Sequence, residues 1–343
     1  MPLSLTKVDS AEYALAAAGH VTFMQTPGWA DLRSQNGYTA DYYVVRENDL
    51  TVGAFMALVK TKHIAGLRVT ASYLPRPLFF FDLTRTSGID QVLKALKKNY
   101  LLTVVEYNFP HWADARPDDK AWRQAVATAG KKAGYLSSAK HIQPDATIIK
   151  AVPEGDVYAS LANKYARRDA RRGEKKATEL GITYSASETL TDEQLERVEE
   201  LMWQVAKQRG FNTRKAPYLE AFQRLVPGAH WFTAEYAGQL ISATLCVRDL
   251  ASNTDYSLYL GYQNPFEEEI YLTYTGRVKI LEALQDENRA YYDQWGISED
   301  PKSPLFRLSE TKKRFGGDII YYPKRLVASR IPLAGRLIER LGK

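Results

Sequence analysis

The feature that most constrains this chain is a long internal echo. Tyr42-Tyr43-Val44-Val45-Arg46-Glu47 turns through Asn48-Asp49 into a second apolar run over 50–59. An Asn-Asp pair between two such runs predicts a β-hairpin, because both residues tolerate the positive φ of a tight turn. Later His230-Trp231-Phe232-Thr233-Ala234-Glu235 leads through Ala237-Gly238 into a matching run over 240–247. The first hairpin is followed by an aromatic strand around Tyr73, an amphipathic helix near 89–98 and a strand at 101–106. The second is followed by a strand at 256–261, a helix near 272–287 and the strand Tyr291–Ile297. One order of elements used twice predicts two lobes of one design.

The length agrees, since 343 residues exceed what a single core ordinarily serves. Composition is that of a globular protein, 45% hydrophobic and 25% charged. Cys246 is the single cysteine, so no intramolecular disulfide forms, and its setting between Leu245 and Val247 predicts a buried structural thiol. No apolar run approaches the ~20 residues of a membrane-spanning helix, and the N-terminus lacks a signal-peptide pattern. A cytoplasmic location is therefore expected. His20, His63, His111, His141 and His230 show neither metal-ligand spacing nor a catalytic pairing, so no metal is expected.

A net charge of +6 favours anionic partners. The charge is concentrated in one place. Lys164, Arg167, Arg168, Arg171, Arg172, Lys175 and Lys176 recur at helical spacing, with only Asp169 and Glu174 among them. On a helix they form one basic stripe, either a solvated face or a phosphate-binding one. A further helix is expected from Thr191, whose Thr-x-x-Gln opening reads as a capping box and which runs to about Gln208.

The last fifth carries the most specific pattern. Tyr291-Tyr292-Asp293-Gln294-Trp295-Gly296-Ile297 is followed by Leu308-Ser309-Glu310-Thr311-Lys312-Lys313-Arg314-Phe315-Gly316-Gly317. This order resembles the closing signature of the Fem family (FemABX), which transfers an amino acid from aminoacyl-tRNA to the peptide stem of a peptidoglycan precursor. The absence of sustained heptads, and so of a coiled-coil arm, makes the chain similar to the compact FemX-like type. The resemblance implies an α/β fold of mixed sheets in tandem GNAT-like acyltransferase lobes. It implies a first lobe of 1–147 plus 318–343 that binds the acceptor, and a second of 148–317 on the aminoacyl-tRNA side.

It also implies roles for particular residues. Lys312 falls on the motif lysine beside the tRNA acceptor end and the reacting carbonyl, with an ammonium expected there. Thr311 replaces the aromatic residue that would stack on the terminal adenosine. Arg214 and Tyr218 take the positions that hold the precursor's diphosphate, Tyr259 that of a precursor-contacting tyrosine, and Arg33 that of a phosphate-contacting lysine. Lys164, Arg167, Arg168 and Arg171 fall on a basic helix expected to meet tRNA. The implied partners are aminoacyl-tRNA and UDP-MurNAc-pentapeptide or a lipid-linked precursor.

Neither half carries the glycine-rich Arg/Gln-x-x-Gly-x-Gly/Ala turn that cradles a CoA pyrophosphate, so no cofactor is expected. The general base is left open between Asp293 and Glu106, which end equivalent strands, and the substrate's own oxygens. The basic, amphipathic segment 324–341 reads as a helix, lying on anionic lipid at the inner membrane face or packed on the first lobe. Two other functions fit the same residues: N-acyl transfer from another activated donor, and binding of tRNA or precursor without catalysis.

Overall fold

A computed structural model describes residues 3–64, 67–209 and 213–330. The chain divides into two compact units, Met1–Asp145 with Tyr321–Lys343, and Ala146–Ile320.

The first unit contains β1 (Leu3–Val8), α1 (Ser10–Ala17), α2 (Pro27–Ser34), β2 (Thr39–Glu47), β3 (Leu50–Ile64), β4 (Leu67–Pro75), α3 (Ile89–Asn99), β5 (Leu102–Glu106), α4 (Asp119–Lys132) and β6 (Leu136–Ser138). Asn48 and Asp49 take φ of 49° and 66°, the left-handed pair that closes the β2–β3 hairpin. The α3 crossover makes β4 and β5 parallel, paired from Ala71–Leu102 to Pro75–Glu106. Tyr43, Phe55, Phe79 and Tyr107 pack ring on ring through the core at centroid distances of 5.4, 4.7 and 5.0 Å.

The second unit contains β7 (Ala146–Ala151), α5 (Lys164–Leu180), β8 (Thr183–Ser187), α6 (Asp192–Arg209), α7 (Ala216–Leu225), β9 (Ala229–Tyr236), β10 (Gln239–Asp249), β11 (Thr254–Tyr262), α8 (Leu272–Asp286), β12 (Tyr291–Ile297), α9 (Phe306–Phe315) and β13 (Asp318–Tyr321). Its sheet runs β13-β7-β12-β11-β10-β9-β8. Ala237 and Gly238, at φ 50° and 76°, close its hairpin as Asn48 and Asp49 close the first. Helix α6 opens on the expected capping box: Thr191 N donates to Gln194 Oε1 at 3.0 Å and Gln194 N to Thr191 Oγ1 at 3.3 Å. Helix α5 is capped by Asn163 and ends at Gly181, at φ 71°.

The chain returns through β14 (Arg325–Ser329), which lies between β5 and β6 in the first sheet. The helix expected from residue 324 is therefore corrected over this stretch. Leu326, Val327 and Ala328 are buried, and a run apolar on both faces suits an internal strand rather than an amphipathic helix. The remainder of that expectation, 331–343, lies outside the described residues. Among the described residues no helix is long and apolar enough to cross a membrane.

Both units thus share hairpin, strand, crossover helix and parallel strand, an α/β architecture of two mixed sheets. Close backbone contact fixes part of it. At Gly53 in β3 an added Cβ would lie 1.8 Å from the Phe79 carbonyl oxygen, whereas Gly276 in α8 faces open space. Gly53→Ala is expected to lose about 1–3 kcal/mol of stability through overpacking. Gly276→Ala is expected to gain up to about 1 kcal/mol of helix propensity. Thermal and denaturant unfolding of the two variants checks this, and equal stability would contradict it.

Candidate functional site

Helix α9 ends at Gly316, at φ 82°, and turns Ser309, Lys312 and Phe315 inward. Lys312 is 6% exposed, and its Nζ donates to Gly296 O at 2.8 Å and Trp295 O at 3.2 Å. These carbonyls belong to β12, so the lysine does not cap its own helix. They are offered by a β-bulge, where the register with β7 passes from Asp293–Ile149 to Gly296–Thr147 and Trp295 takes φ 61°. Asp293, fully buried, holds the bulge by accepting from Trp295 N at 2.6 Å and from Thr147 Oγ1.

Burial first, then the nearby Arg277, bring the Lys312 amine down to about 7, while Asp293 opposes them. Burial thus works against the ammonium expected from the motif, while two carbonyl acceptors favour it. Near neutral pH the group is available both as ammonium donor and as amine acceptor. Arg277, from α8, is 8% exposed, and the titratable groups that act on it are tyrosines rather than a carboxylate. Its guanidinium lies 4.9 Å from the Phe315 ring centroid, and its Nη1 is 3.4 Å from Gln294 Oε1. Gln294 Nε2 in turn donates to Gly316 O at 3.0 Å, linking the strand to the end of α9.

The bulge stands where two strands part. β11 and β12 pair in parallel from Thr254–Tyr291 to Tyr256–Asp293, yet β11 continues to Tyr262 and β12 to Ile297. Trp295 lies on the β12 side of this divergence and Tyr259 on the β11 side.

Three expected residues come together at α7 and β11. Arg214 Nε donates to Tyr259 Oη at 3.2 Å, and the guanidinium lies 4.9 Å from the Tyr218 ring and 5.6 Å from that of Tyr259. Arg214 is exposed, so two aromatic rings orient a cation that still meets solvent. Residues 210–212, just ahead of Arg214, lie outside the described residues.

The other expected residues are placed singly. Arg33, in the first unit, lies half-buried over the Tyr38 ring at 5.2 Å, with Lys60 at 4.9 Å from that ring. Thr311 donates to Arg307 O at 3.2 Å. The basic stripe of α5 has more carboxylates about it than its own segment supplies. Arg168 pairs with Asp169 at 2.8 Å, Arg171 with Asp156 at 3.6 Å and Lys176 with Glu268 at 2.7 Å. Lys164 and Arg168 flank the exposed Tyr165 ring at 5.3 and 5.5 Å, while Arg167 donates to Leu161 O. Glu106, one candidate base, is fully buried and accepts from Tyr73 Oη at 2.6 Å and Gln143 N at 3.0 Å, the bonds of a structural anchor.

Two groups escaped the sequence reading. Arg277 sits in no motif of the sequence, and only the fold brings it beside Lys312. His230, Cys246 and Asp255, from three separate strands, converge in the core of the second unit. No spacing rule could have joined them.

The fold is shared with FemX. That solved structure superposes with a TM-score of 0.79 at 16% identity, covering 98% of this chain and all (100%) of that one. A tandem GNAT protein from the clavulanic acid biosynthesis pathway gives 0.54 at 14% identity, covering 96% of this chain and 98% of that one. The C-terminal domain assigned to a lysylphosphatidylglycerol synthetase from Agrobacterium fabrum gives 0.52 at 9% identity, covering 97% and 96%. The fold is thus that of tandem GNAT-like lobes. Neither a protein-family model nor a curated protein sequence matches the chain.

The Lys312 site makes a prediction about stability alone. Its folded value of about 7 lies below the ordinary 10.5, so between these the unfolded chain binds the extra proton and stability rises with pH. Lys312→Met removes that dependence. Relative to the unaltered protein, the variant is expected to be more stable by up to a few kcal/mol below pH ~7 than it is near pH ~10. Denaturant unfolding across this range checks the slope, and parallel stability curves would exclude a depressed Lys312.

Proposed function

We propose that the chain is an aminoacyltransferase that moves an amino acid from aminoacyl-tRNA to an amine on the peptide stem of a peptidoglycan precursor. The observation that carries this reading is Lys312, a buried amine near its neutral point, held by the β12 bulge where β11 and β12 part. Aminolysis of an ester needs little more than a positioned proton carrier and a donor for the oxyanion.

In this mechanism the stem amine attacks the ester carbonyl, forming a C–N bond. Neutral Lys312 takes the proton the amine loses. As ammonium it then gives that proton to the ribose oxygen as the C–O bond breaks and tRNA departs. No external oxidant, metal or covalent nucleophile enters the balance. Arg277 favours the neutral amine, so it acts on the reaction through Lys312 rather than by touching substrate.

Arg214, Tyr218 and Tyr259 are proposed to hold the acceptor's diphosphate. The guanidinium fork matches phosphate oxygens two at a time, and the rings limit its rotation. Arg33 is proposed as a further acceptor contact. Lys164, Arg167, Arg168 and Arg171 are proposed to meet the tRNA backbone, with Thr311 near its acceptor end. The exposed ion pairs of this helix are individually weak, so phosphates can displace their carboxylates. The proposed setting is the cytoplasm, whether the precursor is soluble or lipid-linked.

A CoA donor is disfavoured by the start of α8. The turn before it holds Glu267, Glu268 and Glu269 in place of glycines, and Tyr271 at φ 54° caps it without a side-chain bond. Glu267 and Glu269 there oppose a pyrophosphate, while Glu268 is paired with Lys176.

The test is mass spectrometry of products from a mixed pool of charged tRNAs with UDP-MurNAc-pentapeptide, and from acetyl-CoA in parallel. Lys312→Ala is expected to lower kcat about 10²-fold or more, the scale of a removed oxyanion donor. Arg214→Lys is expected to raise KM for the precursor with kcat little changed. Undiminished transfer in Lys312→Ala, or product from acetyl-CoA alone, would overturn the assignment.

A further inference from the structure

The core of the second unit holds three potential ligands that the proposed reaction does not use. His230 on β9, Cys246 on β10 and Asp255 on β11 are 2%, 0% and 0% exposed. One ligand atom from each lies within 4.8 Å of the others. His230 Nε2 is 3.2 Å from Asp255 Oδ2. Even so, His230 Nε2 and both carboxylate oxygens of Asp255 are buried with no hydrogen-bond partner among the described residues. The ring nitrogen and the carboxylate therefore meet as an ion pair rather than through a well-aligned hydrogen bond.

Burying an ionised carboxylate is costly. The His230 imidazole 3.2 Å away, drawn against its burial toward the protonated form by Asp255, meets it in part, and the nearby arginines do not relieve it further. Arg248 and Arg289 are both tied to Glu287, at 2.7 and 3.7 Å. A divalent ion would. With Asp255 and the Cys246 thiolate it forms a neutral set, the thiol proton being released on binding. An ion bonded to nitrogen and oxygen at ordinary zinc distances in tetrahedral geometry sets those atoms about 3.3 Å apart, close to the observed spacing. The remaining ring nitrogen is also accounted for, since His230 Nδ1 lies 2.9 Å from Gly228 O. Metal-binding histidines characteristically fix their second nitrogen on a carbonyl in this way.

We propose that His230, Cys246 and Asp255 form a binding site for a divalent ion of the zinc class, which pins β9, β10 and β11 together. Imidazole, thiolate and carboxylate together select a borderline ion over magnesium or calcium. None of the three residues takes part in the proposed aminoacyl transfer, and metal content and melting are read without it, so the two proposals are tested independently.

Cys246 is the only cysteine, so any thiolate signal is its own. The test is cobalt titration of the full chain, with metal analysis of zinc-reconstituted, desalted protein. About one retained equivalent of zinc per chain is expected. Also expected are a near-ultraviolet thiolate-to-cobalt band, loss of that band in Asp255→Asn and Cys246→Ser, and a melting temperature raised by zinc and lowered by a chelator. Because either variant can fail to fold, the band and the melting shift are read first on the unaltered protein. Absence of both overturns the proposal. So does retained zinc without a thiolate band, which would mark an adventitious surface ion.

Discussion

The candidate chemistry depends on one carboxylate that holds a strand out of register. Asp293 accepts from the backbone of Trp295 and from the hydroxyl of Thr147 across the sheet, fixing the bulge of β12. The bulge places a non-glycine residue at positive φ, a cost that only a well-determined surrounding sustains. In return the carbonyls of Trp295 and Gly296 meet the amine of Lys312. A regular β12 would direct successive carbonyls to opposite sides, and the lysine would lose one of its two acceptors. Asp293 therefore acts first on backbone geometry. Its opposing effect on the lysine's protonation is secondary.

The duplicated architecture has been used in two ways. In the first unit, β4 and β5 stay paired to Pro75 and Glu106. Glu106 is then consumed by Tyr73 and by the backbone at 142–143, which closes the strand end. In the second unit, pairing of β11 with β12 ends at Tyr256 and Asp293, and the bulge follows directly. The same crossover yields a closed end in one lobe and a divergence in the other. The terminal carboxylates also bond differently: Glu106 holds Tyr73 of β4 and a crossing loop, Asp293 its own strand and Thr147 of β7.

Local chemistry was readable from sequence wherever its cause was local. The turns at Asn48-Asp49 and Ala237-Gly238, the capping box at Thr191 and the helical spacing of the α5 bases each need only a few adjacent residues. Segment 325–329 misled because a short apolar run flanked by arginines fits a helix face as well as a strand, and its partners lie far away in β5 and β6. Lys312 was visible through its flanking motif. Its protonation was not, since burial and Arg277 on another helix set it. The carboxylates that meet the α5 bases, Asp156 and Glu268, come from outside the helix and were equally hidden. His230, Cys246 and Asp255 lie on three strands whose sheet register alone makes them neighbours.

Arg277 brings a cost in stability to the surroundings of Lys312. A buried guanidinium acted on by tyrosines rather than a carboxylate weakens the fold, and a second buried cation beside it weakens the fold further. A methionine of similar length would fill the space against Phe315 without that penalty. It would also leave Lys312 governed by burial and Asp293 alone, with Asp293 favouring the charged form. The arginine thus adds to the burial that holds the Lys312 amine below its ordinary value, at a cost in stability. Its bond to Gln294, and through it to Gly316, ties this influence to the helix end that positions Lys312. Strand bulge, helix cap and buried cation thus form one connected support for a single amine.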